Sequence, residues 1–402
     1  MMEDYTMTTV KIPTSETIPI APLKIIALNS CKLLGEKVND ILIEERHLQV
    51  NQHKNTLAFL GYKADTYLVE ANCPRFGSGE AKAELKESVR GTDLYILVDV
   101  TNHNIKYNIS QEQSSMSPDD YFQDLKRIIS ACNGKAHRIN VIIPYLYEGR
   151  QHKRSRRESL DCALALQELA NMGVQNIITF DAHDPRVQNA IPLRGFDNFF
   201  TTLQVIRAFL ETYNDIKIDS DNLMIISPDE GGMSRSVYYA NVLGVDMGMF
   251  YKRRDYSVIV NGKNPIVAHE FLGSSVDGKD VFIVDDMISS GESILEVAME
   301  LKKRKAKRVF VAVTYGLFSE GFDKFDQYYE DGIIDRIFTT NLTYVAPELE
   351  GKPYYTKVDL SKYIALIIDT LNHDTSVNDI LNPTARIQDL LEEYHREQNK
   401  TL

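Results

Sequence analysis

The feature that most constrains this chain is a series of short, predominantly apolar runs in which hydrophobic residues follow one another rather than alternate with polar ones. They fall at residues 24–28, 94–98, 141–143 and 177–180 in the first half, and at 223–226, 281–284 and 309–313 in the second. A strand with one wet face alternates apolar and polar residues, so unbroken runs of this length predict parallel strands covered on both faces. Helical stripes lie between them. Ile294, Val297, Ala298 and Leu301 share one face, with Glu296, Glu300, Lys302 and Lys303 outside it. Leu160, Ala163, Leu164 and Leu169 mark another helix that ends near Gly173. Strand, helix and strand repeated in both halves predict an α/β fold with two mainly parallel sheets flanked by helices.

At 402 residues the chain suits two domains. The boundary is placed near residue 200, giving domains over 22–199 and 200–375, a flexible leader over 1–21 and a polar helical tail over 376–402. The leader carries Glu3, Asp4, Lys11 and Glu16 and lacks the apolar core of a secretory signal. No apolar stretch is long enough to span a bilayer. Cys31, Cys73, Cys132 and Cys162 form no metal or disulfide spacing, which fits a reducing, cytoplasmic setting. A net charge of -12 argues against nucleic acid or an anionic membrane as partner. Within that acidic background, residues 150–157 concentrate Arg150, Lys153, Arg154, Arg156 and Arg157. By itself such a run reads as a solvated face.

The most specific local pattern starts at residue 281. Four apolar residues deliver Asp285 and Asp286 to a strand end; Ser289, Ser290, Gly291 and Ser293 then open the Ile294 helix. Ligands bind at the carboxyl ends of strands in open α/β sheets. Hydroxyls and backbone N–H groups at a helix start cradle phosphate. Carboxylates repel phosphate but accept hydrogen bonds from vicinal hydroxyls. The order predicts one ligand with hydroxyls at one end and phosphate at the other, about the size of ribose 5-phosphate. The plain alternative is an Asp turn with Ser290 as a helix cap.

This segment resembles the ribose-phosphate motif of type I phosphoribosyltransferases and of phosphoribosyl pyrophosphate synthetases, the ribose-phosphate pyrophosphokinase family. In that resemblance Asp285 and Asp286 hold the ribose hydroxyls, while Ser289, Ser290, Gly291 and Ser293 hold the phosphate. Further blocks in family order favour the synthetases: Arg75-Phe76 through Glu80, Arg150-Gln151-His152-Lys153, Asp181-Ala182-His183, Ser227-Pro228-Asp229 with Gly231-Gly232, Lys252-Arg253-Arg254, and Tyr315 through Ser319. They cover residues 24–375. The resemblance implies two tandem type I phosphoribosyltransferase-like domains and a ribose-phosphate diphosphokinase using ATP and ribose 5-phosphate with Mg2+. It implies that Lys252 and Arg254 are catalytic, and that Arg150, Gln151 and His152, with Phe76 and Glu80 from a neighbouring subunit, bind ATP. It places the diphosphate at Asp229, Gly231 and Gly232, and the metal at His183 and Asp229. The active protein would be a homo-oligomer built on dimers, with a hexamer as the larger form.

The chemistry suits these residue types, because moving a diphosphate requires cations around it, and Mg2+ leans on phosphate oxygens and keeps most of its water. The departures cluster around the adenine and regulatory regions of the family: Ser78 and His152 each replace an Asp, and Tyr315 replaces a His. Glu292 replaces a glycine, and residues 40–70 are longer than the family connection. Two other readings stay open, a type I phosphoribosyltransferase and a catalytically silent nucleotide-binding or regulatory homologue.

Overall fold

The computed structural model describes residues 17–51, 57–254 and 266–401. The chain separates into two compact units. The first takes the described residues up to Thr179 together with 184–198 and 361–381; the second takes 180–183, 199–360 and the described residues from 382.

The first unit is built on a five-stranded sheet in the order Leu23–Ala27, Asp93–Leu97, Arg138–Ile142, Asn176–Phe180, Gly195–Phe199. The first four are mutually parallel, as the unbroken apolar runs require. Ile96, Val141 and Ile177 pack under the helix Pro118–Ala131, which buries Tyr121, Phe122, Leu125, Ile128 and Ile129. That helix starts with a reciprocal cap: Asp120 N donates to Ser117 Oγ at 3.1 Å, and Ser117 N donates to Asp120 Oδ2 at 2.9 Å.

A second group of buried residues joins the helices Lys32–Asn51 and Ser361–Asn372. Arg46, only 2% exposed, donates to Asp369 Oδ1 at 2.8 Å and Asn372 Oδ1 at 2.7 Å. Its guanidinium also stands over the Tyr62 and Tyr67 rings at 4.8 and 5.1 Å. A buried cation needs such company. Residues 361–372, assigned from sequence to the second domain, therefore pack with the first unit. Part of the expected leader is also tied down: Thr17 Oγ1 donates to His373 O at 3.1 Å and Ile20 N to Asn372 O at 2.9 Å. Residues 1–16 lie outside the described residues.

The second unit carries a seven-stranded sheet in the order Ile266–Leu272, Asp246–Arg254, Leu223–Ser227, Asp280–Ile288, Val309–Gly316, Arg336–Thr340, Tyr355–Val358. Its strands pair parallel except the edge strand Ile266–Leu272, which runs antiparallel to Asp246–Arg254. The helix Glu292–Lys303 buries Ile294, Leu295, Val297, Ala298 and Leu301, the stripe read from sequence. The tail docks here. In the helix Thr384–Thr401, Ile387, Leu390, Leu391 and Tyr394 are buried, and Gln388 Nε2 donates to Val242 O at 2.8 Å. No helix among the described residues is long and apolar enough to cross a membrane.

Candidate active site

In the second unit the central strand Asp280–Ile288 brings Asp285 and Asp286 to its carboxyl end, and Ser289, Ser290 and Gly291 lead into the helix Glu292–Lys303. Gly291 is the helix cap, with φ +85° and ψ −9° and no side-chain hydrogen bond. A Cβ there would lie 2.3 Å from Phe325 Cζ, so both the backbone and the neighbouring ring require glycine. Ser290 is not the cap; its Oγ lies 3.5 Å from Glu292 N. Ser289, Ser290 and Ser293 are half-buried along the same turn.

The carboxylates have different surroundings. Asp286 is buried, and its Oδ2 lies 2.6 Å from His183 Nδ1. Asp285 is half-buried, and its Oδ1 accepts from Asp286 N at 2.8 Å. Burial and the adjacent Asp286 charge push the Asp285 carboxyl above the usual carboxylate range. Burial also pushes Asp286 up, but the His183 hydrogen bond and the Arg235 charge together hold it below that range.

Three residues not assigned from sequence complete the cluster. Arg235 Nε donates to Asp181 Oδ2 at 2.9 Å and an Arg235 terminal nitrogen to Asp181 Oδ1 at 2.8 Å. Its other terminal nitrogen lies 3.5 Å from Asp285 Oδ1. Thr314 Oγ1 donates to Asp181 Oδ2 at 2.8 Å. Asp181 opens the Asp181-Ala182-His183 segment, and Arg235 offers only a subtle sequence signal, a cation in a helix first turn just after two glycines.

Asp229 follows the neighbouring strand Leu223–Ser227. Its Oδ1 accepts from Gly231 N at 2.8 Å and Gly232 N at 3.2 Å. The two amides expected to face a diphosphate are thus held by the Asp229 side chain, because this tight turn satisfies its own donors. A Cβ on Gly232 would lie 3.0 Å from Ser227 Oγ and 3.6 Å from Asp285 Oδ1, so this loop borders the carboxylate pair. Lys252 and Arg254 close the strand Asp246–Arg254. Their side chains, and residues 255–265, lie outside the described residues.

The remaining sequence candidates belong to the first unit. Phe76 is 54% exposed on a turn closed by Phe76 N donating to Glu80 O at 2.7 Å. Ser78 Oγ donates to the exposed Glu80 side chain at 2.9 Å. Arg150 is exposed, whereas Gln151 Nε2 turns into its own loop and donates to Ser159 O at 2.8 Å. His152, where the family has Asp, is half-buried with Nε2 3.4 Å from Asp184 Oδ2. A hydrogen bond from Arg186 holds Asp184 down at about 2. Residues 153–157 are exposed, as a solvated basic run should be.

Residues 23–173 match the N-terminal domain of ribose phosphate pyrophosphokinase, and residues 197–346 match the phosphoribosyl transferase domain. The pair, in this order, decides the family. This chain belongs to the ribose-phosphate pyrophosphokinases. A ribose-phosphate pyrophosphokinase of Vibrio parahaemolyticus is 29% identical over 321 residues, covering 78% of this chain and 92% of that relative. One from Buchnera aphidicola is 27% identical over 325 residues, covering 80% and 93%. The crystal structure of phosphoribosylpyrophosphate synthetase from Mycobacterium smegmatis shares the fold, with a TM-score of 0.69 at 21% identity over 88% of this chain and 99% of that one. As a ribose-phosphate pyrophosphokinase, the chain has two tandem phosphoribosyltransferase-like domains, each a mainly parallel sheet flanked by helices. The carboxylate pair and Gly291 turn lie inside the segment matched by the phosphoribosyl transferase domain.

Proposed function

We propose that this ribose-phosphate pyrophosphokinase transfers the diphosphate of Mg-ATP to ribose 5-phosphate, giving phosphoribosyl pyrophosphate and AMP. The observation that carries the reading is the nine-residue stretch 285–293. It sets two carboxylates beside a glycine-capped helix start at the end of a central strand. Asp285 and Asp286 accept the sugar hydroxyls; Ser289, Ser290, Ser293 and the amides after Gly291 receive the 5-phosphate. The anomeric hydroxyl then faces the β-phosphorus, and most of the rate comes from positioning and from charge stabilisation.

Lys252 and Arg254 supply the cations that meet the moving diphosphate, and the turn at Asp229, Gly231 and Gly232 borders it. His183 and Asp229 would hold Mg2+, the Asp229 carboxylate directly and the imidazole through the water that this oxygen-seeking ion keeps. When bound, Mg2+ neutralises charge on the ATP phosphates. Arg150, Gln151 and His152 bind ATP, with Phe76 and Glu80 contributed by a second copy. The exposed Phe76 ring suits stacking on a purine. The active form is a homo-oligomer.

The test is AMP release with ATP and Mg2+, with and without ribose 5-phosphate. AMP formation strictly dependent on the sugar phosphate supports the reaction. Release of ADP instead, or AMP independent of the sugar, contradicts it.

A further inference from the structure

Arg235 is half-buried, its side chain 17% exposed, in the first turn of the helix Met233–Leu243. Two unfavourable features meet there. A cation taken from water needs compensation, and the helix N-terminus favours anions over cations. Its partner Asp181 adds a third, a left-handed φ of +42°. Asp181 compensates the guanidinium by accepting two hydrogen bonds, and Thr314 holds Asp181 in place; Thr201 Oγ1 lies 3.2 Å from Thr314 Oγ1. The space among Asp181, Thr201, Thr314 and Asp285, which Arg235 also lines, is about 10 Å³, room for about one water. An apolar pair at positions 181 and 235 would pack this helix without burying either charge. The arrangement makes sense if the guanidinium serves the other group it faces, Asp285 Oδ1 at 3.5 Å.

We propose that Arg235 is a positioning residue for the sugar phosphate. Fixed by Asp181, it orients the Asp285 carboxylate and offsets its repulsion with Asp286, so that both acids accept sugar hydroxyls. The inference rests on the reading of residues 285–293 as the ribose-phosphate site. Lysine is a poor substitute, because only the planar fork can span Asp181 and still direct an N–H toward Asp285.

The test uses the full chain as wild type, R235K, R235Q, D285N and the R235Q/D285N double variant. AMP release gives KM for each substrate, calorimetry gives ribose 5-phosphate affinity, and thermal unfolding reports the fold. R235Q is expected to weaken ribose 5-phosphate about tenfold, with KM for ATP changed less than about twofold, and R235K to weaken it less. The double variant should bind no more weakly than D285N alone, since Arg235 acts through Asp285. Equal losses for both substrates, or additive losses in the double variant, would overturn the proposal, because a merely structural arginine behaves that way. If R235Q fails to fold, R235K combined with D285N gives the same comparison. A wild type that binds ribose 5-phosphate but forms no AMP contradicts the proposed reaction, while calorimetry still decides the role of Arg235. A wild type that binds no ribose 5-phosphate overturns both.

Discussion

Gly291→Ala isolates the turn on which the sugar-phosphate site depends. At φ +85° the new side chain enters the left-handed region, which costs about 1–2 kcal/mol for an L-residue. Its Cβ would also lie 2.3 Å from Phe325 Cζ, in a ring that is 1% exposed and packed edge-on against Phe318. Phe325 therefore cannot simply move aside, and overpacking of this kind costs about 1–3 kcal/mol. The two effects act on one residue and should lower stability by about 2–5 kcal/mol, read as a lower urea midpoint at unchanged m. A backbone shift would also displace the amides of Glu292 and Ser293, so ribose 5-phosphate affinity should fall at least about tenfold. The companion variant G291A/F325L separates the causes. Relative to F325L alone, it should still show the backbone cost but little of the clash. G291A with wild-type stability and affinity would refute the reasoning. So would a double variant fully as stable as F325L, because the left-handed backbone would then carry no cost.

Asp369→Ala leaves Arg46 buried without its carboxylate and should destabilise the protein by about 3–5 kcal/mol in denaturant titration; a loss below about 1 kcal/mol would show the pair to be dispensable. Tyr394→Ala removes a buried ring whose hydroxyl donates to Tyr213 O at 2.9 Å, and should cost about 3–5 kcal/mol by the same measurement. Burial pushes the thiols of Cys31, Cys73 and Cys162 up to about 12 and that of Cys132 up to about 11. A disulfide reagent at pH 8 should therefore label the folded chain slowly and all four thiols only after unfolding, since the thiolate is the reactive form; fast labelling of the native protein would contradict this. Lys252→Ala should collapse turnover with thermal unfolding unchanged, and an unaltered rate would remove Lys252 from the chemistry.

The architecture was legible where strands are buried on both faces. Residues 281–284 and 309–313 announce themselves because parallel strands under two helical layers need apolar residues at every position. Arg336–Thr340 and Tyr355–Val358 were not read as strands; each mixes polar residues into a short run and lies toward a sheet margin. The placement of residues 361–372 also escaped the sequence. Arg46 and Asp369 are 323 residues apart, and no local periodicity reports such a pairing. In the site, Asp285, Asp286 and the serine-glycine turn were visible because one contiguous segment carries them. Asp181, Arg235 and Thr314 come from three separate elements, and only folding shows that they form one hydrogen-bonded unit. The Gly231 and Gly232 amides show the converse, since their spacing did not reveal that Asp229 would occupy both.

The most direct measurement is phosphorus NMR of the purified chain with ribose 5-phosphate, ATP, Mg2+ and inorganic phosphate. Equal amounts of phosphoribosyl pyrophosphate and AMP, with no accumulation of ADP, are expected. A folded protein that yields no AMP with ATP or any other nucleoside triphosphate would contradict the proposed reaction. If it instead consumed phosphoribosyl pyrophosphate in the presence of a nucleobase, the chain would be a phosphoribosyltransferase.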